Sequence, residues 1–135
     1  MNTIALYFLL STAQYGLPSG LLESLCYVES THKIDVIHRN DGNGNSVGIC
    51  QIKLKTAKHL GFKGTEAELM DPEINITYAA KYLKHQINRY RSIKRGVIAY
   101  NRGNAKGLTV TNYQVKVYKE WRKHEGERSI ASSAQ

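Results

Sequence analysis

DPEINITYAAKYLKHQINRY, residues 71–90, decides the fold. Asp71 can accept from the free amides of a first helical turn, and Pro72, which lacks an N–H, suits the first helical position. Ile76, Ala80, Leu83, Ile87 and Tyr90 follow at spacings of four, three, four and three, the rhythm of one helix face. The pattern predicts a helix of about five turns whose apolar stripe must be covered by other elements.

On the N-terminal side, Thr65 and Glu68 have capping-box spacing for a short helix, and Thr56, Ala57, His59 and Leu60 suggest another, closed by Gly61. Ile49 to Leu54 reads as a short extended or turn segment. Residues 39–48, RNDGNGNSVG, pack three glycines and three asparagines into ten positions, which suits a loop or a tight hairpin. Before it, Leu21, Leu22, Leu25, Cys26 and Val28 predict a helix from about Pro18 to Ser30. The opening MNTIALYFLLSTAQYG has a small-x-small pattern after an apolar run. With no Lys or Arg ahead of that run, it reads as an amphipathic helix, with Ile4, Tyr7, Phe8 and Leu10 or Ser11 near one face and Gly16 as terminator, rather than as a signal peptide. On the C-terminal side, Ile93 to Tyr100 predicts a helix ending at Asn101-Arg102-Gly103. Asn112 to His124 predicts a last one carrying Tyr113, Val117 and Trp121, with a strand at Val115-Lys116-Val117 the weaker alternative.

The 135 residues are 41% apolar and 22% charged, which fits one globular domain and excludes wholesale disorder. We expect the domain to occupy residues 1–128, with 129–135 a flexible tail. No stretch approaches the roughly twenty apolar residues needed to cross a bilayer. Two cysteines cannot build a disulfide scaffold. Cys26 and Cys50 are expected as buried free thiols, a disulfide being the alternative. The chain carries 19 basic and 11 acidic residues, net +8, and residues 1–32 hold Glu23 and Glu29 but no Lys or Arg. Such a balance favours a polyanionic partner: nucleic acid, anionic lipid or acidic wall polymer.

Glu29 is the first candidate for chemistry. It follows Leu22, Leu25 and Cys26 at helical spacing, so its carboxyl lies near an apolar helix side, where lost hydration disfavours the charged form and raises the pKa. The plainer alternative is an exposed Glu29 paired with Lys33.

Seven pieces in order carry a resemblance: Tyr15-Gly16-Leu17-Pro18; Leu21-Leu22; Glu29-Ser30; Gly48-Ile49-Cys50-Gln51 before Thr56-Ala57; Asp71-Pro72 with Asn75-Ile76; Tyr82-Leu83; and Ala99-Tyr100-Asn101-Arg102-Gly103. Together they resemble the soluble lytic transglycosylase (SLT) domain over about residues 10–105. The resemblance implies a mostly α, lysozyme-like α+β domain of about six to eight helices, with a short loop or small β-hairpin after the helix that ends at Glu29. It implies a peptidoglycan-cleaving lyase that cuts the β-1,4 bond between N-acetylmuramic acid and N-acetylglucosamine and leaves a 1,6-anhydro end. Glu29 would be the single catalytic acid and base, Gln51 would bond sugar or hold the cleft wall, Tyr100 would bring its hydroxyl towards the carboxyl, Asn101 would shape the turn beneath, and Ser30 would accompany Glu29 at the substrate.

Some features depart from the family pattern. Cys50 replaces its Met, Asn45-Ser46 replaces its Gly-Ala, and the interval from Glu29 to Gln51 is a few residues long. That interval holds Asp35 and Asp41. Lysozyme-type hydrolases pair the acid with a second carboxylate at about 5 Å or roughly 6.5–9.5 Å, so either Asp keeps a muramidase open as the alternative. Asp41-Gly42-Asn43-Gly44-Asn45 begins like a calcium loop, but Ser46 and Ile52 fail at its sixth and twelfth positions. The five histidines are scattered without HExxH. We therefore expect no metal and no cofactor. From another class, Lys53, Lys55, Lys58, Lys81, Lys84, Arg89, Arg91, Lys94 and Arg95 would suit a basic nucleic-acid-binding helical domain, but no recognition module accompanies them and nucleic acid is not the expected partner. We expect a monomer that does not insert into membranes and acts on the wall, in the periplasm or outside the cell. A chain lacking an export signal would arrive through a holin-type pore or on a phage particle, as an endolysin or virion-associated enzyme.

Overall fold

The computed structural model describes residues 1–40 and 43–133, with the side chains of 127–133 left aside. Its helices are α1 (Thr3–Gln14), α2 (Leu21–Ser30), α3 (Leu54–His59), α4 (Glu66–Leu69), α5 (Pro72–Tyr90), α6 (Ile93–Arg102) and α7 (Asn112–Ser133). Between α2 and α3 lie β1 (Ile37–His38), β2 (Ser46–Val47) and β3 (Ile52–Lys53) in a small antiparallel sheet of order β1-β2-β3. Ile37 faces Val47 and Val47 faces Ile52. The architecture is the mostly α one with a small β element after α2.

The opening stretch of α5 behaves as its sequence dictates: Asp71 accepts from the Ile74 amide, and Ile76, Ala80 and Leu83 are fully buried. The helix is the spine. It packs closely against α6 and supports α1, while α7 lies along α2. Gly96 permits the α5–α6 approach, since a Cβ there would sit 2.8 Å from the Ile87 Cα. Thr65 and Glu68 complete their capping box ahead of α4. In α1, Asn2 caps the Ala5 amide, and of the two residues proposed for the inner face it is Ser11 that is buried while Leu10 is exposed.

Two boundaries differ from the sequence pattern. Helix α2 starts at Leu21 rather than Pro18, because Gly20 takes a left-handed conformation (φ +83°) as its N-cap and leaves Pro18 in the preceding turn. Helix α7 continues past His124 to Ser133.

The cysteines correct an expectation. Cys26 and Cys50 are not free thiols but a disulfide, with Cα atoms 4.4 Å apart and both residues fully buried. The bond joins α2 to the turn between β2 and β3, across a sequence separation of 24. Closing a loop of that size removes conformational freedom from the unfolded chain worth about 3 kcal/mol. The double variant C26A/C50A should therefore unfold at lower urea concentration, with a stability loss of about 3 kcal/mol. Denaturation of the native protein should show a similar loss once reductant is present.

Candidate functional site

Helix α2 delivers Glu29 to a cleft of about 210 Å³ between the small sheet and the end of α6. The chain then reverses through Thr31 (φ 54°) and His32 (φ 61°), both left-handed. Gln51, on the cleft wall, is left-handed as well (φ 52°). Three of the four non-glycine residues with positive φ among those described thus sit beside Glu29 or in its cleft wall, which is where strained backbone tends to be retained for function.

The Glu29 side chain is half-buried and makes no ion pair with Lys33 among the described residues. Its Oε2 instead accepts a 2.7 Å hydrogen bond from the Tyr113 hydroxyl of α7. Burial raises the carboxyl pKa to about 7, with the Tyr113 bond and the nearby His38 pulling the other way. Burial also holds the Tyr113 and Tyr100 hydroxyls well above their ordinary range, so both remain protonated donors.

The turn opposite Glu29 is fixed from several directions. Ser30 Oγ donates to the Ile49 carbonyl (2.6 Å), Asn75 Oδ1 accepts from the Cys50 amide (2.8 Å), and Asn75 Nδ2 donates to the Val47 carbonyl (2.9 Å) and the Leu69 carbonyl (2.8 Å). Tyr100 Oη donates to the Cys50 carbonyl (2.7 Å). Gly48 is needed for this packing: its φ is +83°, and a Cβ would stand 2.6 Å from Asn75 Cγ.

The site residues named from sequence are distributed as follows. Glu29, Gln51, Tyr100 and Asn101 line one cleft, Asn101 at its exposed lip. The Gln51 amide is engaged within the protein: Nε2 donates to the carbonyls of Val36 (3.0 Å) and Gly48 (2.9 Å), and Oε1 accepts from His38 Nδ1 (2.6 Å). Both ends of the amide are thus engaged within the protein. Tyr100 does not bond the carboxyl, because its hydroxyl is committed to Cys50. Ser30 lies outside the cleft lining and ties α2 to the turn. Asp35 is exposed and does not line the cleft, and Asp41, with the start of the calcium-like loop, lies outside the described residues.

The sequence reading missed Tyr113 as a partner of Glu29. Its position on the apolar stripe of the last helix was visible, and a buried tyrosine needs an acceptor for its hydroxyl, but nothing local indicates a carboxyl 84 residues away.

A family model described as Transglycosylase SLT domain matches residues 7–122. No curated protein and no solved structure matches.

Two outcomes follow from the Glu29 environment. The native state holds the Glu29 proton up to about pH 7, whereas the unfolded chain releases it near 4.5. Folding stability therefore falls as pH rises between those values, by up to about 3 kcal/mol. The variant E29Q should melt higher than the native protein at pH 8, with the gain vanishing at pH 4. Removing the Tyr113 donor with Y113F should move the Glu29 pKa upward, read by carboxyl-selective NMR titration.

Proposed function

We propose that this chain, which belongs to the transglycosylase SLT domain family, cleaves the β-1,4 bond between N-acetylmuramic acid and N-acetylglucosamine with Glu29 as its only general acid and base. The family acts on peptidoglycan by lytic transglycosylase-type cleavage. What supports the finer reading is one observation: a half-buried carboxyl in a cleft, its pKa raised to about 7, with no second carboxylate among the described residues that line that cleft.

At neutral pH a substantial fraction of Glu29 carries the proton that the bridging oxygen needs. Because Oε2 accepts from Tyr113, Oε1 is left to carry and deliver that proton. As the glycosidic bond breaks, the leaving N-acetylglucosamine takes the proton and positive charge develops at C1 of the muramic acid ring. The Glu29 carboxylate then accepts the proton of the muramic acid 6-hydroxyl while O6 bonds to C1. No water is consumed. Glu29 ends protonated, ready for another cycle. Tyr113 stabilises the intermediate carboxylate, and Gln51 and Tyr100 act as positioning residues by holding the wall.

The hydrolase alternative gains no support from Asp35, which stands outside the cleft lining. The disulfide suits a protein working where thiols are oxidised, beyond the cytoplasmic membrane, as action on the wall requires.

Mass spectrometry of digested, purified peptidoglycan should yield muropeptides one water lighter than hydrolytic products. The E29Q protein should lose about 10²–10⁴-fold in rate while remaining folded. Hydrated reducing ends would replace the transglycosylase with a muramidase, and wall lysis that survives in E29Q would remove Glu29 from the chemistry.

A further inference from the structure

The small sheet beside Glu29 has two faces, and its register decides which residues share them. Residues directly opposite one another in an antiparallel pair point to the same face, their Cβ atoms about 4.5–5.5 Å apart. Ile37, Val47 and Ile52 form one row, and Val47 and Ile52 are buried in the core. His38, Ser46 and Lys53 form the other. Ser46 and Lys53 line the Glu29 cleft, so His38, exposed on the edge strand β1, continues that cleft face beyond Ser46. It also stands near enough to Glu29 to act on the carboxyl through its charge.

The His38 ring is held by an amide that is itself held. Gln51 Nε2 donates to the Val36 carbonyl (3.0 Å) and to the Gly48 carbonyl (2.9 Å), which uses both of its protons. Reversing the amide would set its oxygen against two carbonyl oxygens. Oε1 is therefore fixed as the acceptor that faces His38 Nδ1 at 2.6 Å, and Nδ1 must carry the ring's proton. In the neutral imidazole Nε2 then keeps a bare lone pair, and no group among the described residues donates to it.

An acceptor held in one tautomer is oriented by the fold, so a ligand's donor can meet it with little further ordering of the side chain. A glycan strand offers such donors in its hydroxyl and acetamido N–H groups. The Gln51 amide has both protons engaged inside the protein, and its remaining bond orients the neighbouring ring on the cleft face.

Resting on the peptidoglycan reading above, we propose that His38 is a glycan-binding residue. Its Nε2 accepts a hydrogen bond from a hydroxyl or acetamido N–H of a sugar lying across the row of His38, Ser46 and Lys53, and Gln51 is the positioning residue that fixes the tautomer for it.

Ring-nitrogen NMR of the isotope-labelled full chain at pH 8 reads the tautomer directly. His38 should show a protonated Nδ1 and a bare Nε2, and Q51L should move the ring towards the opposite tautomer. Titrating E29Q with a peptide-free tetrasaccharide of alternating N-acetylglucosamine and N-acetylmuramic acid should shift the Nε2 signal while Nδ1 stays protonated. H38F, in an otherwise native chain, should raise KM about fivefold, the effect of one lost hydrogen bond, with most of the loss in KM rather than kcat. His38 is exposed, so this variant should fold, which melting curves check, and H38A serves if it does not. The assignment is overturned by a protonated Nε2 in the free protein, by saccharide binding that leaves Nε2 unmoved, or by a loss confined to kcat. An unchanged tautomer in Q51L removes Gln51 from the positioning role. In each of these cases anhydro products from the native protein keep the parent reading, whereas a native protein that cuts no glycan sinks both.

Discussion

The buried amide of Asn75 is the constraint on which the site depends. Its side chain, fully excluded from water, receives the Cys50 amide proton and gives its own two protons to the carbonyls of Val47 and Leu69. Each such bond contributes about 1 kcal/mol, but a buried polar group left without its partner costs about 1–3 kcal/mol, so the arrangement resists partial change. Helix α5 thereby dictates where the turn of residues 48–51 runs. Three further ties reach the same turn: Ser30 from α2, Tyr100 from α6 and the disulfide from Cys26. Gly48 lets Asn75 come close enough for all of this. Gln51 then emerges with a left-handed backbone and an amide already occupied, a fixed wall facing Glu29.

Glu29 works against stability for a chemical reason. Its helix could have ended in a neutral side chain, yet a carboxyl sits where lost hydration favours the protonated form. Tyr113, a partly buried residue, moderates that penalty without abolishing it, since its hydroxyl donates to the carboxylate while itself remaining neutral. The left-handed backbone at Thr31 and His32 adds local strain immediately after the carboxyl. Both costs fall on the same short stretch, and the disulfide and the Ser30 bond anchor that stretch on the core side.

Local physics was legible in the sequence. Periodicity found α5, and the Thr65–Glu68 spacing found the capping box, because each depends on residues a few positions apart. The place of Glu29 beside apolar residues of α2 was legible for the same reason. Contacts that close only when distant segments meet were not. The Tyr113–Glu29 bond spans 84 residues, and the disulfide depends on two Cα atoms brought together by a fold that spacing cannot supply. The direction of the Gln51 amide is set by carbonyls at Val36 and Gly48 and by His38, so a residue type that suggested sugar binding turned out to be engaged internally. The start of α2 was misplaced because Pro18 suits a helix's first turn, while Gly20 two residues later adopts a conformation that only begins one afterwards.

The commitments of these polar groups bear on which nucleophile can complete the reaction. To hydrolyse the bond, a water must be held at C1 and lose a proton to a base. The Gln51 amide is engaged on both nitrogen and oxygen, and the Tyr100 hydroxyl donates to Cys50. Elsewhere in the described cleft lining, Asn101 and Thr56 are neutral groups that can orient but not deprotonate, and Lys53 and Arg102 bring positive charge rather than a second carboxylate. Glu29 is then the one carboxylate of the described lining that could act as base. A nucleophile tethered to the sugar itself, the 6-hydroxyl, needs no separate cradle because its own ring positions it, which carries an effective concentration no free water reaches. On the proposed reading, a single carboxyl in the described lining and a nucleophile carried on the sugar itself go together with ring closure rather than hydrolysis.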